Sequence, residues 1–313
     1  MSIIEGVLKG NVRDTARLIT IVENELPEAP AAMQSIFSHT GRAYTIGFTG
    51  PPGAGKSTLV DKVTLQFCRQ EKKVGIIAID PSSPFSGGAL LGDRIRMRDI
   101  ITEENVFIRS VSTRGSIGGL SRAAGNIAKI LDAAGNDFVI IETVGVGQNE
   151  VDIFKTADTS VLVLMPGAGD DIQSIKAGIM EIADIFVVNK ADRDEAEGLI
   201  TSIRQMLDSN TKPGPWRPPI IKTAAIQNEG TDELLNAVQE HRTFLESTGA
   251  LSARRKERLR TEIIRLAERR ISHIVQSQIK QNGRFEELVE KVAAREEDPY
   301  SCVERIVGPL EEE

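Results

Sequence analysis

The chain has 313 residues, 40% of them hydrophobic and 27% charged, and 38 basic against 45 acidic side chains leave a net charge of −7. That length exceeds one compact core, so a main domain with appendages is expected, and the acidic balance gives no overall reason to expect nucleic-acid binding. No run approaches 18 apolar residues, which excludes an apolar membrane-spanning helix as an expectation.

The first residues, Met1-Ser2-Ile3-Ile4-Glu5-Gly6, lack a basic segment followed by an apolar one, so a cytoplasmic protein is expected. Residues 1–40 read as a helical extension packed on the main domain. Val7, Leu8, Val12, Leu18, Ile19 and Val22 recur at near-helical spacing, and Pro27 and Pro30 interrupt the pattern. From Tyr44 onward short apolar runs alternate with segments long enough for crossover helices, for example 118–134 and 173–182. The runs at 44–49, 74–79, 106–110, 138–142, 160–164, 185–189 and 220–222 lack alternation, as strands buried on both faces do. Residues 41–245 are therefore expected to form a doubly wound α/β domain around a mainly parallel sheet. The proline-rich connector at 212–219 breaks helix before the last strand, and Trp216 within it reads as a packing anchor. Residues 246–313 are expected to form a helical arm. One long helix over 251–281 carries an apolar stripe of Leu259, Ile263, Leu266, Ile274 and Val275, with eight basic and three acidic residues over 252–270 as a solvated face. A second helix near 285–295, a cap at Asp298-Pro299-Tyr300 and a third helix over 301–310 follow. The stripe needs a partner, either a neighbouring helix or another chain.

The chemistry concentrates at the ends of these strands. Gly50-Pro51-Pro52-Gly53-Ala54-Gly55-Lys56-Ser57-Thr58 sits between an apolar strand and a helix, the context of a phosphate-binding P-loop. Its glycines let backbone N–H groups turn toward phosphate oxygens, Lys56 supplies a charge for the outer phosphates, and Ser57 supplies a hydroxyl for Mg²⁺. Asn189-Lys190-Ala191-Asp192 follows another strand. In N-K-x-D the aspartate accepts from the N1–H and exocyclic amine of guanine, a donor pair adenine lacks. Thr223-Ala224-Ala225-Ile226 leaves the last strand, where backbone N–H groups can meet the guanine oxygen. The run from Asp137 to Gly145 is a Walker B strand and its exit. Glu142 is suited to hold Mg²⁺ through water, and Gly145 is placed for its N–H to meet the γ-phosphate. Loss of that phosphate would release the loop 144–151. Asp80 and Asp93 are candidate Mg²⁺ carboxylates, with a helix cap or a surface pair as the other reading of each. Arg94, Arg96, Arg98 and Arg114 read as salt-bridge partners, among which a transition-state charge stabiliser could stand.

Cys68 and Cys302 form no C-x-x-C and suit a reducing compartment. His39, His241 and His273 lie far apart, read as surface or partly buried side chains, and give no zinc or nickel signature.

Taken in order, GPPGAGKST, DPSSP, GALLGDRIRM, RGSIGGL, ETVGVGQNE, PGAGDDIQSIKAG and NKAD resemble the MeaB/ArgK family of GTPases, closely over residues 40–245 and in outline beyond. The resemblance implies a G-protein chaperone of an adenosylcobalamin-dependent acyl-CoA mutase, typically methylmalonyl-CoA mutase. Such a chaperone gates cofactor loading and protects or reactivates its client. The resemblance also implies a homodimer joined through the C-terminal arm, with neither nucleic acid nor membrane as partner. It places Gly50 to Thr58 on GTP phosphates, and Ser57, Asp80, Asp93 and Glu142 around Mg²⁺. Asp192 would read guanine, with Ala224, Ala225 and Ile226 at the base, and residues 167–176 would form an additional switch loop. Ala224 departs from the serine common in this loop of GTPases, which leaves backbone recognition intact. No glutamine follows Gly145 directly, Val146 standing there with Gln148 nearby, so hydrolysis by the chain alone should be slow and a partner should complete the site. Three other readings compete: a metal-insertion GTPase, for which a Cys/His constellation is missing; a kinase linked to periplasmic amino-acid-binding proteins, for which an H-R-D catalytic loop is missing; and a dimer module with incidental hydrolysis.

Overall fold

A computed structural model describes residues 2–80, 100, 102–112, 119–143, 156–167, 183–209, 214–281 and 284–307. Its seven strands are β1 (Tyr44–Thr49), β2 (Val74–Asp80), β3 (Val106–Ser112), β4 (Phe138–Thr143), β5 (Thr159–Leu164), β6 (Ile185–Asn189) and β7 (Ile220–Thr223). They form one sheet in the order β3-β2-β4-β1-β5-β6-β7. All six neighbouring pairs run parallel. The helices among the described residues are α1 (Ile3–Leu8), α2 (Val12–Glu23), α3 (Ala29–Phe37), α4 (Lys56–Arg69), α5 (Gly119–Ala133), α6 (Ala196–Ser209), α7 (Thr231–Ser247), α8 (Ala250–Gln281), α9 (Arg284–Ala293) and α10 (Pro299–Val307).

The strands form where the apolar runs predict them, because both faces of the sheet are covered. Side chains alternate across the sheet. Ile46, Phe48, Ile140 and Val163 pack under α4 and α7, while Ile77, Ile79, Val139 and Ile141 pack under α5 and the N-terminal helices. A third cluster joins Leu162, Leu164, Phe186 and Val188 to Leu199, Ile200 and Ile203 of α6. Each fully buried Leu, Ile or Phe contributes about 1.5–3 kcal/mol relative to exposure.

Residues 3–37 share the second cluster: Val7, Leu18, Ile19 and Ile36 are fully buried. Local chemistry starts the first two of these helices. Ser2 and Glu5 form a capping box on α1, and Asn11 Oδ1 accepts the N–H of Asp14 at the start of α2. Arg109 of β3 donates to Thr20 at 3.2 Å and pairs with Glu23, and Arg122 of α5 pairs with Glu25. Asp132 accepts from the N–H groups of Arg42 and Ala43 as the chain enters β1.

His241 departs from expectation: it is fully buried. Its Nδ1 lies 2.9 Å from Thr159 Oγ1, which lies 2.6 Å from the Tyr44 hydroxyl, and its Nε2 is 3.3 Å from Asp184 Oδ1. Trp216 covers this chain, its ring 4.7 Å from that of His241 and its Nε1 donating to the Asp184 carbonyl at 2.8 Å. The connector tryptophan is thus the anchor its residue type suggests. Burial, reinforced by Asp158 and Asp184, drives the Tyr44 hydroxyl pKa well above the ordinary phenol value.

The chain divides into two compact units, Met1–Leu251 and Ser252–Glu313. In the second, Asp298 caps α10 by accepting from the N–H groups of Tyr300 and Ser301 and the Ser301 hydroxyl, which holds its carboxyl below the usual range.

Candidate nucleotide-binding site

In an open parallel sheet ligands collect beyond the carboxyl ends of the strands, where the chain switches direction across the sheet. Here that point is β1. The chain runs from it toward β2 and β3 on one side, then continues through β5 to β7 on the other. The P-loop leaves β1 at this position and α4 begins at Lys56, with its positive N-terminal end facing the loop.

Two glycines of the loop are required by their neighbours. Gly50 has φ +149°, and a Cβ there would lie 2.0 Å from the carbonyl oxygen of Val163 in β5. Gly55 is left-handed, φ +88°, and its Cβ would meet Asn189 Nδ2 at 2.2 Å. The loop is therefore pressed onto β5 and onto the residue ending β6. Lys56 is 5% exposed, and its ammonium donates to the carbonyls of Gly50 (2.8 Å) and Pro51 (3.0 Å). The loop thus curls around its own lysine.

Ser57 and Glu142 meet, the serine Oγ donating to Glu142 Oε1 at 2.5 Å. They come from positions 85 apart, Ser57 in the first turn of α4 and Glu142 near the end of β4, paired in register with Phe48. A hydroxyl beside a buried carboxylate at a helix N-terminus is a donor set suited to a hard cation. On the opposite face of the same strand pair, Thr143 Oγ1 lies 2.8 Å from Thr49 Oγ1 and 3.5 Å from the Phe48 carbonyl.

Asn189 joins the loops. Its Nδ2 donates to the Ala54 carbonyl of the P-loop at 2.7 Å, while its Oδ1 accepts from Thr223 Oγ1 (3.0 Å) and from the Ala225 N–H (3.1 Å). Lys190 takes a left-handed backbone, φ +58°, and its ammonium lies 3.5 Å from Met165 Sδ. Asp192 is exposed just beyond. Ala224 and Ala225 are buried in the turn after β7, where Ala224 bridges to Glu229, and Ile226 projects an apolar side chain that is 81% exposed. The phosphate loop and the Asn189 and Ala225 loops thus form one rim with a polar, cation-bearing end and an exposed apolar end.

Three sequence candidates are not placed. The Asp80 backbone ends β2, but its side chain, Asp93 and Gly145 lie outside the described residues, as do the loops 144–151 and 168–176 and the arginines 94, 96, 98 and 114. Sequence reasoning missed Thr49, Thr143 and Met165. For the threonines one signal existed: each stands at the last position of a strand, directly before or within a motif.

A family model described as "Methylmalonyl Co-A mutase-associated GTPase MeaB" matches residues 15–280. A Pyrococcus abyssi protein is 50% identical over 98% of this chain and 96% of its own length. GTPase ArgK of Escherichia coli is 36% identical, over 81% of this chain and 79% of its own. The crystal structure of a LAO/AO transport system kinase superposes with a TM-score of 0.71 at 26% identity, covering 97% of this chain and 95% of that one.

Proposed function

The chain belongs to the MeaB family of methylmalonyl-CoA mutase-associated GTPases and is itself a P-loop GTPase, and from that premise we propose that it uses GTP hydrolysis to chaperone an adenosylcobalamin-dependent acyl-CoA mutase. In this reading the client is methylmalonyl-CoA mutase or a close relative, and the nucleotide state gates loading of its cofactor and its protection or reactivation. The family match over residues 15–280 supports the client class. The observation that carries the nucleotide reading is the Asn189 side chain, bonded at once to the phosphate loop and to the base loop.

Lys56 would transfer its ammonium from the Gly50 and Pro51 carbonyls to phosphate oxygens, so that the charge is preorganised where negative charge develops. Ser57 and Glu142 fit a Mg²⁺ site, with Asp80 and Asp93 as further carboxylates and Gly145 as a γ-phosphate donor. Bound there, Mg²⁺ would neutralise charge on the β- and γ-phosphates. Asp192 would accept from guanine, Lys190 would flank it, and Ala224, Ala225 and Ile226 would line the base. Residues 1–40 would brace the GTPase domain, 41–245, and the arm, 246–313, would join two copies. Hydrolysis by the chain alone would be slow and accelerated by the client. No helix among the described residues is long and apolar enough to cross a membrane, and a cytoplasmic chaperone without nucleic-acid or membrane partners is the reading proposed.

Affinity capture from the source cells with the chain held in a non-hydrolysable GTP analogue tests the client. The expected catch is a cobalamin-bearing mutase, released when GDP replaces the analogue. Recovery of no such mutase, or binding indifferent to nucleotide, would overturn the chaperone reading. In the same preparations γ-labelled GTP should yield free phosphate, and Lys56→Ala should abolish that release. Label found on protein instead would favour the kinase activity named for the structural relative.

A further inference from the structure

The junction of β1 and β4 at the nucleotide edge is bonded on both of its faces. On one face, Ser57 Oγ and Glu142 Oε1 meet at 2.5 Å. On the other, Thr143 Oγ1 and Thr49 Oγ1 meet at 2.8 Å, both residues 1% exposed. Thr49 is the last residue before the P-loop and Thr143 directly follows Glu142. The β1–β4 ladder ends with Phe48 opposite Glu142, while Thr143 stays registered with Ile79 of β2 and Thr49 with Leu162 of β5, so at this level each strand is laddered to its other neighbour and no registered pair ties the two to each other. Beyond that pair, the threonine hydroxyls are a bond of known geometry between the two strands. A one-residue slip or a twist of β4 would turn Glu142 away from Ser57, because alternate residues face opposite sides.

We propose that the Thr49–Thr143 hydroxyl pair is a positioning device for GTP hydrolysis, holding the end of β4 against the P-loop so that the Glu142 carboxylate stays aimed at the Ser57 hydroxyl. Neither threonine touches the nucleotide in this account; each acts through Glu142. A buried hydroxyl pair suits this task better than two valines, since it fixes a distance and direction that apolar contact does not. The proposal rests on the assignment of Ser57 and Glu142 to Mg²⁺.

The test is Thr143→Val, which keeps the shape and removes the hydroxyl, beside Thr143→Ser, which keeps the hydroxyl. Thr49→Val deletes the bond from the other strand and carries the test if Thr143→Val does not fold. With the full chain, Thr143→Val should raise the Mg²⁺ concentration for half-maximal GTP turnover about fivefold or more and lower kcat about tenfold, of the order expected when one positioned polar contact is lost. GDP affinity without Mg²⁺ should stay near wild type, the melting temperature should fall by no more than about 10 °C, as for one lost buried hydrogen bond, and Thr143→Ser should restore the Mg²⁺ response. The Thr49→Val/Thr143→Val double variant should be no worse than either single variant, as expected of one shared bond. Turnover and Mg²⁺ response within twofold of wild type in both valine variants would overturn the proposal, as would single effects that multiply in the double variant. Glu142→Gln separates the two levels: if it leaves the Mg²⁺ response unchanged, the metal assignment itself fails; if it alters that response while the valine variants do not, only the threonine proposal fails.

Discussion

Asn189 has one side chain and three partners, and they lie on two loops separated in sequence by more than 160 residues. Losing it would loosen the phosphate end and the base end together, whereas Asp192, exposed at the rim, has a narrower task. Asp192→Asn should therefore leave GTP turnover measurable while cutting the preference for GTP over ATP about tenfold or more, read by nucleotide competition; an unchanged preference would remove Asp192 from base recognition. A second prediction concerns the buried tyrosine at the start of β1. Burial raises the Tyr44 pKa in the folded chain, while the unfolded phenol titrates at about 10. The folded state then keeps a proton that the unfolded state gives up. Its stabilising effect is complete below about pH 10 and declines as pH rises toward the folded value, by at most about 1.4 kcal/mol per pH unit. Tyr44→Phe removes that slope. The variant should be less stable than wild type by about 1 kcal/mol at neutral pH, and the gap should narrow in urea titrations above about pH 10. A gap that stays constant with pH would show that Tyr44 does not carry the effect.

At the scale of elements, α1 to α3 are part of the sheet's packing, because Leu18, Ile19 and Ile36 share one cluster with β2, β4 and α5. Ile19→Ala should accordingly lower unfolding free energy by about 2–5 kcal/mol, measured by urea unfolding followed by circular dichroism; a loss under about 0.5 kcal/mol would mean that these helices add nothing to the core. The strands were legible in the sequence because burial on both faces leaves uninterrupted apolar runs such as Phe138 to Ile141, and the P-loop and Asn189 motif were legible because their spacing is dictated by the phosphate and the base. The polar contacts were not. Tyr44 and Thr159 are 115 positions apart, Thr159 and His241 are 82 apart, and Thr49 and Thr143 are 94 apart. Periodicity marks which face a residue takes, but it carries no sign of which distant hydroxyl or imidazole will be opposite. From sequence His241 accordingly reads as a surface or partly buried side chain, although it is enclosed.

At the scale of the whole molecule, α8 keeps Leu259, Ile263, Ile264, Leu266, Ile271 and Ile274 exposed, between 39% and 66% each. An apolar strip on that length of helix calls for a cover, and a second copy of the arm is the cover proposed above. Ile263→Glu combined with Leu266→Glu should shift the chain from dimer to monomer in sedimentation velocity at micromolar concentration; an unchanged sedimentation coefficient would remove the strip from the dimer contact. The tryptophan gives this molecule one more property. Trp216 is the only indole in the chain, and it lies against Asp184, His241 and Phe244, at the opposite end of β6 from Asn189. Its intrinsic fluorescence is thus a single-site gauge of whether the Met1–Leu251 unit is folded. It should be quiet during nucleotide exchange, so turnover must be watched through a dye on the nucleotide while the protein's own emission serves as an internal control for integrity.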